Sequence, residues 1–204
     1  VAPAEPVTGG AVESSGAGAA PGAAVEILKP VAWSGGKAEL TPENTSIGFI
    51  GAHTDDRPDR VGGFEKFSGT LTVDEAGKTV SGVTVDIDAT SIWTEFGNLT
   101  NHLNSPDFFD TREYPTAKFE STSVSGAGDG AVLVKGKLTL HGTTQEIEFP
   151  AQAMVSDAGV VLSANFEIDR TQFGMDKMTQ GVKPAVKVNV AVGKATQPTK
   201  AAGG

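Results

Sequence analysis

The sequence predicts an all-β fold, an eight-stranded antiparallel barrel with a short helical insertion between its third and fourth strands. Three observations carry this expectation. Eight runs alternate apolar and polar residues with period two, the spacing that turns one side of a strand toward a core and the other toward water. Turn-forming clusters separate the runs, among them Glu75-Ala-Gly, Gly126-Ala-Gly-Asp-Gly and Asp157-Ala-Gly. One stretch, Thr94 to Asp110, abandons the alternation. Strands with one apolar and one charged face suit a sheet that closes on itself, because closure removes its edges. A two-sheet sandwich meets the same pattern.

The first run sets Ile47, Phe49, Gly51 and His53 on one phase, and the second sets Phe67, Gly69, Leu71 and Val73 against Ser68, Thr70, Thr72 and Asp74. The third opposes Val83, Val85 and Ile87 to Thr84, Asp86 and Asp88. After the insertion, Phe119, Ser121 and Ser123 face away from Lys118, Glu120 and Thr122, and Val132, Val134, Gly136, Leu138 and Leu140 face away from Lys135, Lys137 and Thr139. Ile147 and Phe149, then Leu162, Ala164, Phe166 and Ile168, then Val186, Val188, Val190 and Val192 complete the eight. In the insertion, Leu99 and Leu103 stand one helical turn apart, and Ser105-Pro106 places a capping residue before a Pro suited to a helix's first position. A short helix and a turn are expected. Trp93, Phe96, Phe108 and Phe109 give this segment too much apolar surface for a solvated loop, so it should cover one end of the barrel.

The chain of 204 residues suits one domain with tails. Residues 1–37 read as a flexible Gly/Ala/Pro-rich spacer, 38–193 as the barrel and 194–204 as a polar tail. A spacer of this kind commonly follows a cleaved export signal, so an extracytoplasmic address, periplasmic or secreted, is expected. No apolar run approaches the ~20 residues of a membrane-spanning helix. An outer-membrane barrel fits poorly, because the aromatic girdles it needs are not supplied by one Tyr and two Trp. With no Cys, disulfides, thiolate metal sites and cysteine nucleophiles are excluded within these residues. A formal charge of −9 argues against nucleic acid as a partner, since phosphate binding needs a basic stripe.

An eight-stranded barrel is either packed by its own side chains or wide enough for a slender ligand, and inward residue size decides which. Small inward residues, Gly51, Gly69, Gly136, Ser121 and Ala164, recur among the Phe residues. They mark either bulges and sharp coiling or a hollow interior. In the hollow reading the tunnel is lined by Ile47, Phe49, Phe67 and Leu71, by Val83, Val85 and Ile87, and by Phe119, Val134, Leu138, Phe149, Phe166 and Phe173. Trp93, Phe96, Leu103, Phe108 and Phe109 of the insertion would gate or floor it. Such a tunnel takes a long, thin, apolar chain, with little directional chemistry.

Chemistry-bearing groups are sparse. His53, His102 and His141 lie in no metal-ligand spacing, and no nucleophile elbow, zinc-protease motif or phosphate loop is present. His53 continues an inward phase and is a candidate head-group contact, or else a satisfied rim histidine. His141 belongs to a tight hairpin before Gly142. Asp107 and Asp110 read better as backbone caps than as an acid/base pair. Arg170 follows a strand end, where it either pairs with a carboxylate such as Asp110 or clamps an anionic head. No cofactor or metal is expected.

Four motifs, Leu103-Asn-Ser-Pro-Asp-Phe-Phe-Asp110, Tyr114-Pro-Thr-Ala-Lys-Phe119, Gly136-Lys-Leu-Thr-Leu-His-Gly142 and Arg170-Thr-Gln-Phe-Gly174, occur in an order and spacing that resemble the YceI-like family. Phe49, His53 and Gly63-Phe-Glu-Lys-Phe-Ser-Gly69 extend the resemblance over about residues 38–193. It departs at Thr100-Asn101-His102, where family members often carry an Arg-Asp pair before the leucine. The resemblance implies a lipocalin-like antiparallel barrel, usually exported, that binds a polyisoprenoid chain in an elongated pore. The ligand so implied is a polyprenyl quinone, alcohol or phosphate, held without catalysis by a monomer or homodimer. An enzyme acting on an isoprenoid through His53 or the Asp107/Asp110 pair, and a filled barrel serving as a structural module, are the alternatives.

Overall fold

The computed structural model describes residues 29–74, 76 and 79–193. It is an all-β, curled, barrel-like antiparallel sheet with one helix. The strands are β1 (Trp33–Ser34), β2 (Lys37–Leu40), β3 (Thr45–His53), β4 (Arg60–Phe64), β5 (Phe67–Val73), β6 (Val80–Asp88) and β7 (Ile92–Thr94), followed after the helix α1 (Gly97–Leu103) by β8 (Thr116–Gly128), β9 (Ala131–Leu140), β10 (Thr143–Ser156), β11 (Gly159–Asp169) and β12 (Val182–Val192). The described sheet therefore has twelve strands, not the expected eight. The eight alternating runs are β3, β5, β6 and β8 to β12. The four additional strands have two to five residues, too few for a period-two signal, and β4 reads Arg60-Val-Gly-Gly-Phe, with no side chain at the positions where alternation would show.

The hydrogen-bonded order is linear, β1-β2-β5-β6-β8-β9-β10-β11-β12-β3-β4-β7, and does not return on itself. Curling is achieved by a bend instead. β4 leads through Glu65 and Lys66 into β5, while β6 leads through a 3-10 turn, Ala89–Ser91, into β7. The β4/β7 and β5/β6 pairs are thus successive parts of one two-stranded ribbon. At the bend Glu65 N–H donates to the Ser91 carbonyl (3.1 Å), Asp88 N–H to the Lys66 carbonyl (3.0 Å) and Lys66 N–H to Ser91 Oγ (2.9 Å). Asp88 caps the turn by accepting from Thr90 N–H.

The end away from the helix is solid. Leu40, Thr45, Leu71, Val73, Val80, Val160 and Val192 are all nearly inaccessible there, and Val31 bridges Val160 across them. Val31 and Trp33, inside the stretch read as spacer, therefore belong to the sheet and its core. Residues 1–28 of that stretch, and the tail at 194–204, lie outside the described residues.

The inward glycines do different jobs. A Cβ at Gly51 would meet nothing within 4 Å, and this residue borders open space. A Cβ at Gly136 would lie 2.6 Å from the Glu120 carbonyl oxygen and 2.6 Å from Phe119 Cζ, because the Phe119 ring lies across it. Gly136→Ala should therefore cost roughly 1–3 kcal/mol by overpacking, read as a lowered urea midpoint with unchanged slope. An unaltered midpoint would show that both the Phe119 ring and the Glu120 carbonyl give way freely.

His141 and Gly142 form the two-residue loop between β9 and β10, with φ of 47° and 70°. Positive φ at both positions is what a tight hairpin turn of matching twist requires. The His141 ring packs edge-on to Tyr114 at 4.6 Å, and its Nδ1 lies 3.1 Å from the Phe173 carbonyl oxygen. Its part is in the turn. Ser105-Pro106 does not open a helix. It follows α1, where Ser105 Oγ donates to the His102 carbonyl (2.7 Å) and so satisfies a helix C-terminal acceptor.

Candidate functional site: an apolar cavity inside the sheet

Alternation on the long strands sends apolar side chains inward, and they do not fill the space they enclose. A cavity of about 200 Å³ remains, and its exposed wall consists of apolar atoms. Ile47 and Phe49 on β3 line it with Val83, Val85 and Ile87 on β6, Phe119 on β8, Val134 and Leu138 on β9, Phe149 on β10 and Phe166 on β11. Leu103, Phe108 and Phe109 of the insertion close the end that α1 covers. Val83, Ile147, Phe166 and Val188 are half-exposed although they point inward, because the surface they keep faces the hollow.

Two aromatic groups shape the wall. Phe149 stacks on Phe166 with ring centroids 4.1 Å apart and planes 10° apart, and Phe119 leans on Phe149 at 5.6 Å. On the other side Phe64 packs between Phe49 (6.0 Å) and Phe109 (5.9 Å, edge-on). The Phe64–Phe109 pair has the edge-to-face geometry that ring quadrupoles favour, and each side of the wall is held by its own ring contacts.

Five expected lining residues and one expected head-group contact fall elsewhere. Phe67 and Leu71 share the inward face, opposite Ile87 and Val83, but core neighbours cover them, Leu71 completely. Phe173 is likewise packed into the main core from the 3-10 turn Arg170–Phe173. The Trp93 indole lies over Gly63, where a Cβ would come within 3.0 Å of Nε1. Phe96 is about half-exposed, with the Arg60 guanidinium 5.1 Å from its ring centroid; no two-residue period applies at the helix start to fix its direction. His53 does not line the cavity. Its Nδ1 lies 3.2 Å from the Pro58 carbonyl oxygen.

Sequence reasoning left out Phe64, Leu140, Ile147, Leu162, Ala164, Ile168, Met175 and the β12 residues Val182, Val186, Val188 and Val190, all of which line the cavity. Most sit on the inward phase of long strands, so the alternation already contained them. Phe64 and Met175 have no periodic signal, since each comes from a short or irregular segment.

Arg170 is the one ionisable residue in the wall. Only 3% exposed, it makes no ion pair among the described residues. Its Nε–H donates to the Lys183 carbonyl (3.3 Å), one terminal nitrogen to the Val182 carbonyl (3.1 Å) and the other to the Met175 carbonyl. The face of Phe108 covers the guanidinium, 5.4 Å from the ring centroid. Burial pushes its pKa down from the usual arginine value, and the carboxylates of Asp169 and Asp176 oppose that shift; arginine keeps its charge in proteins all the same. Asp110 is not its partner. That residue acts through its backbone, at φ 42°, with its carbonyl accepting from Glu113 and Tyr114. Asp107 does not cap the backbone through its carboxylate either: Oδ2 lies 3.4 Å from His102 Nε2.

No carboxylate, imidazole or hydroxyl belongs to the wall. Among the described residues no group of three or more His, Asp or Glu is placed to hold a metal ion, and no helix is long and apolar enough to cross a membrane.

A family model described as YceI-like domain matches residues 39–193. A Pseudomonas putida UPF0312 protein is 40% identical over 90 residues, 44% of this chain and 47% of the relative. A Vibrio cholerae UPF0312 protein is 41% identical over 91 residues, 45% and 48% respectively. The matched part thus spans about half the length of these curated relatives. Among solved structures, Burkholderia cenocepacia BcnA aligns with a TM-score of 0.65 at 24% identity, over 74% of this chain and 96% of that one. A domain from Saccharophagus degradans, described as polyisoprenoid binding and implicated in plant cell wall breakdown, aligns with a TM-score of 0.60 at 15% identity, over 79% and 99%. At these identities the two structures share the fold. With the family model covering the sheet from β2 to the end of β12, this chain belongs to the YceI-like family.

Proposed function

We propose that the protein binds a long isoprenoid lipid in this cavity without transforming it, and acts outside the cytoplasm as a carrier, store or sensor. The observation that carries the reading is a wall of apolar atoms whose one charged residue, Arg170, donates three hydrogen bonds to backbone carbonyls. Such a wall favours hydrocarbon at roughly 25 cal/mol per Å² buried and offers no acid, base or nucleophile for chemistry. The Saccharophagus degradans neighbour, described as a polyisoprenoid binding domain, supports the same ligand class.

Size sets a condition on this reading. Cavities of ~150 Å³ take one benzene, so about 200 Å³ holds on the order of one or two five-carbon units. A longer chain must continue through an end that opens. Native mass spectrometry with organic extraction, on protein purified from a host containing isoprenoid quinones and polyprenyl phosphates, tests the proposal. The expected result is a stoichiometric polyisoprenoid, whose mass identifies a quinone, alcohol or phosphate head. Protein that stays empty after incubation with such lipids would overturn it.

A further inference from the structure

Taken together with the lipid-binding reading, on which this step rests, the packing at the two ends of the cavity distinguishes them. The end away from the helix is sealed by the main core, where Leu71, Val160 and Val192 are at most 1% exposed and Val31 lies across them. The insertion end is covered by a separate small cluster, Ile92, Leu103 and Phe108, with half-buried neighbours around it. Residues that close a cavity with so little packing belong to the part of a fold that opens most readily.

The insertion also has little stability of its own. With seven residues and no side-chain bond at its N-cap Phe96, α1 is far below the ~12–15 residues at which an isolated helix begins to hold. It is fastened to β7 through the hydroxyls of Thr94 and Thr100, 2.9 Å apart. The His102–Asp107 contact, 3.4 Å and more than a third exposed on each side, adds little. What holds Phe108 over the cavity is its position between two partners: Arg170 across its face at 5.4 Å and His102 edge-on at 5.1 Å.

We infer that ligand enters and leaves at the insertion end, by displacement of Phe108 from between Arg170 and His102. Phe108 is the gate and Arg170, fixed by three carbonyls, is the post it closes against. This reconciles a cavity of about 200 Å³ with a longer chain, because moving Phe108 extends the cavity outward while the opposite end stays packed.

Stopped-flow fluorescence with all-trans-geranylgeraniol delivered from cyclodextrin tests the route on the full chain. Phe108→Ala should raise both association and dissociation rates about tenfold or more, the effect of removing a modest barrier. Val160→Ala, which loosens the opposite end outside the cavity wall, should leave both within about twofold. In the wild-type protein, amide hydrogen exchange across 97–111 should be faster than in β9 and β10 and should slow on loading; this arm needs no variant to fold. Acceleration by Val160→Ala and not by Phe108→Ala, or insertion amides as protected as those of β9, would overturn the route alone. Failure of geranylgeraniol to bind the wild-type protein at all would overturn the lipid-binding reading and this inference with it.

Discussion

Replacing Val188 with phenylalanine is expected to weaken isoprenoid binding about a hundredfold while leaving the protein folded. Val188 sits on β12 opposite Phe49 of β3 and Phe166 of β11, and its remaining exposed surface faces the cavity. The larger ring would occupy much of about 200 Å³. Excluding on the order of 100 Å² of ligand surface at ~25 cal/mol per Å² removes about 2.5 kcal/mol, close to two decades in affinity. Because the ring fills empty space, the folding cost should stay at or below the ~1–3 kcal/mol typical of overpacking. Fluorescence titration with farnesol and a urea transition on the same sample separate the two effects. Unchanged affinity in a folded variant would place the ligand somewhere other than this cavity.

Arg170→Met is expected to destabilise the fold by roughly 1–3 kcal/mol, the cost of leaving buried hydrogen-bond acceptors without a donor. Methionine approximates the length of the arginine stem, so the loss reports mainly the N–H groups. Without them the buried carbonyl of Met175 and the part-buried carbonyls of Val182 and Lys183 lose their donors, and Phe108 loses its cationic neighbour. Chemical denaturation is the direct measure. A loss below about 1 kcal/mol would mean that those carbonyls find other donors, and that Arg170 is not what ties the segment after β11 to the start of β12.

Arg170 also shows where reading from sequence ends. The ion pair with Asp110 assumed that a buried guanidinium takes a charged side chain as its partner. In the structure three of its N–H groups go to carbonyls from an irregular stretch and from β12, and backbone acceptors leave no trace in residue type. The exclusion of Phe67 and Leu71 from the cavity is a similar case. Period two assigned them correctly to the inward face, but a face has no depth in one dimension, and packing against β2 and its neighbours covers them.

Legible in the residues alone are the eight long antiparallel strands, the helical interruption after β6, the family, and which side of each long strand turns inward, because strand alternation and turn chemistry are local and repeat along the chain. Folding in three dimensions adds that four further short strands complete the sheet, that a bend rather than a closing ladder curls it, and that Val31 and Trp33 join the core. It alone decided that the interior is hollow near Val83, Phe166 and Val188 yet solid around Leu71 and Val160. Those outcomes depend on how residues far apart in the chain share volume, and packing volume is a property of the assembled sheet rather than of any one strand.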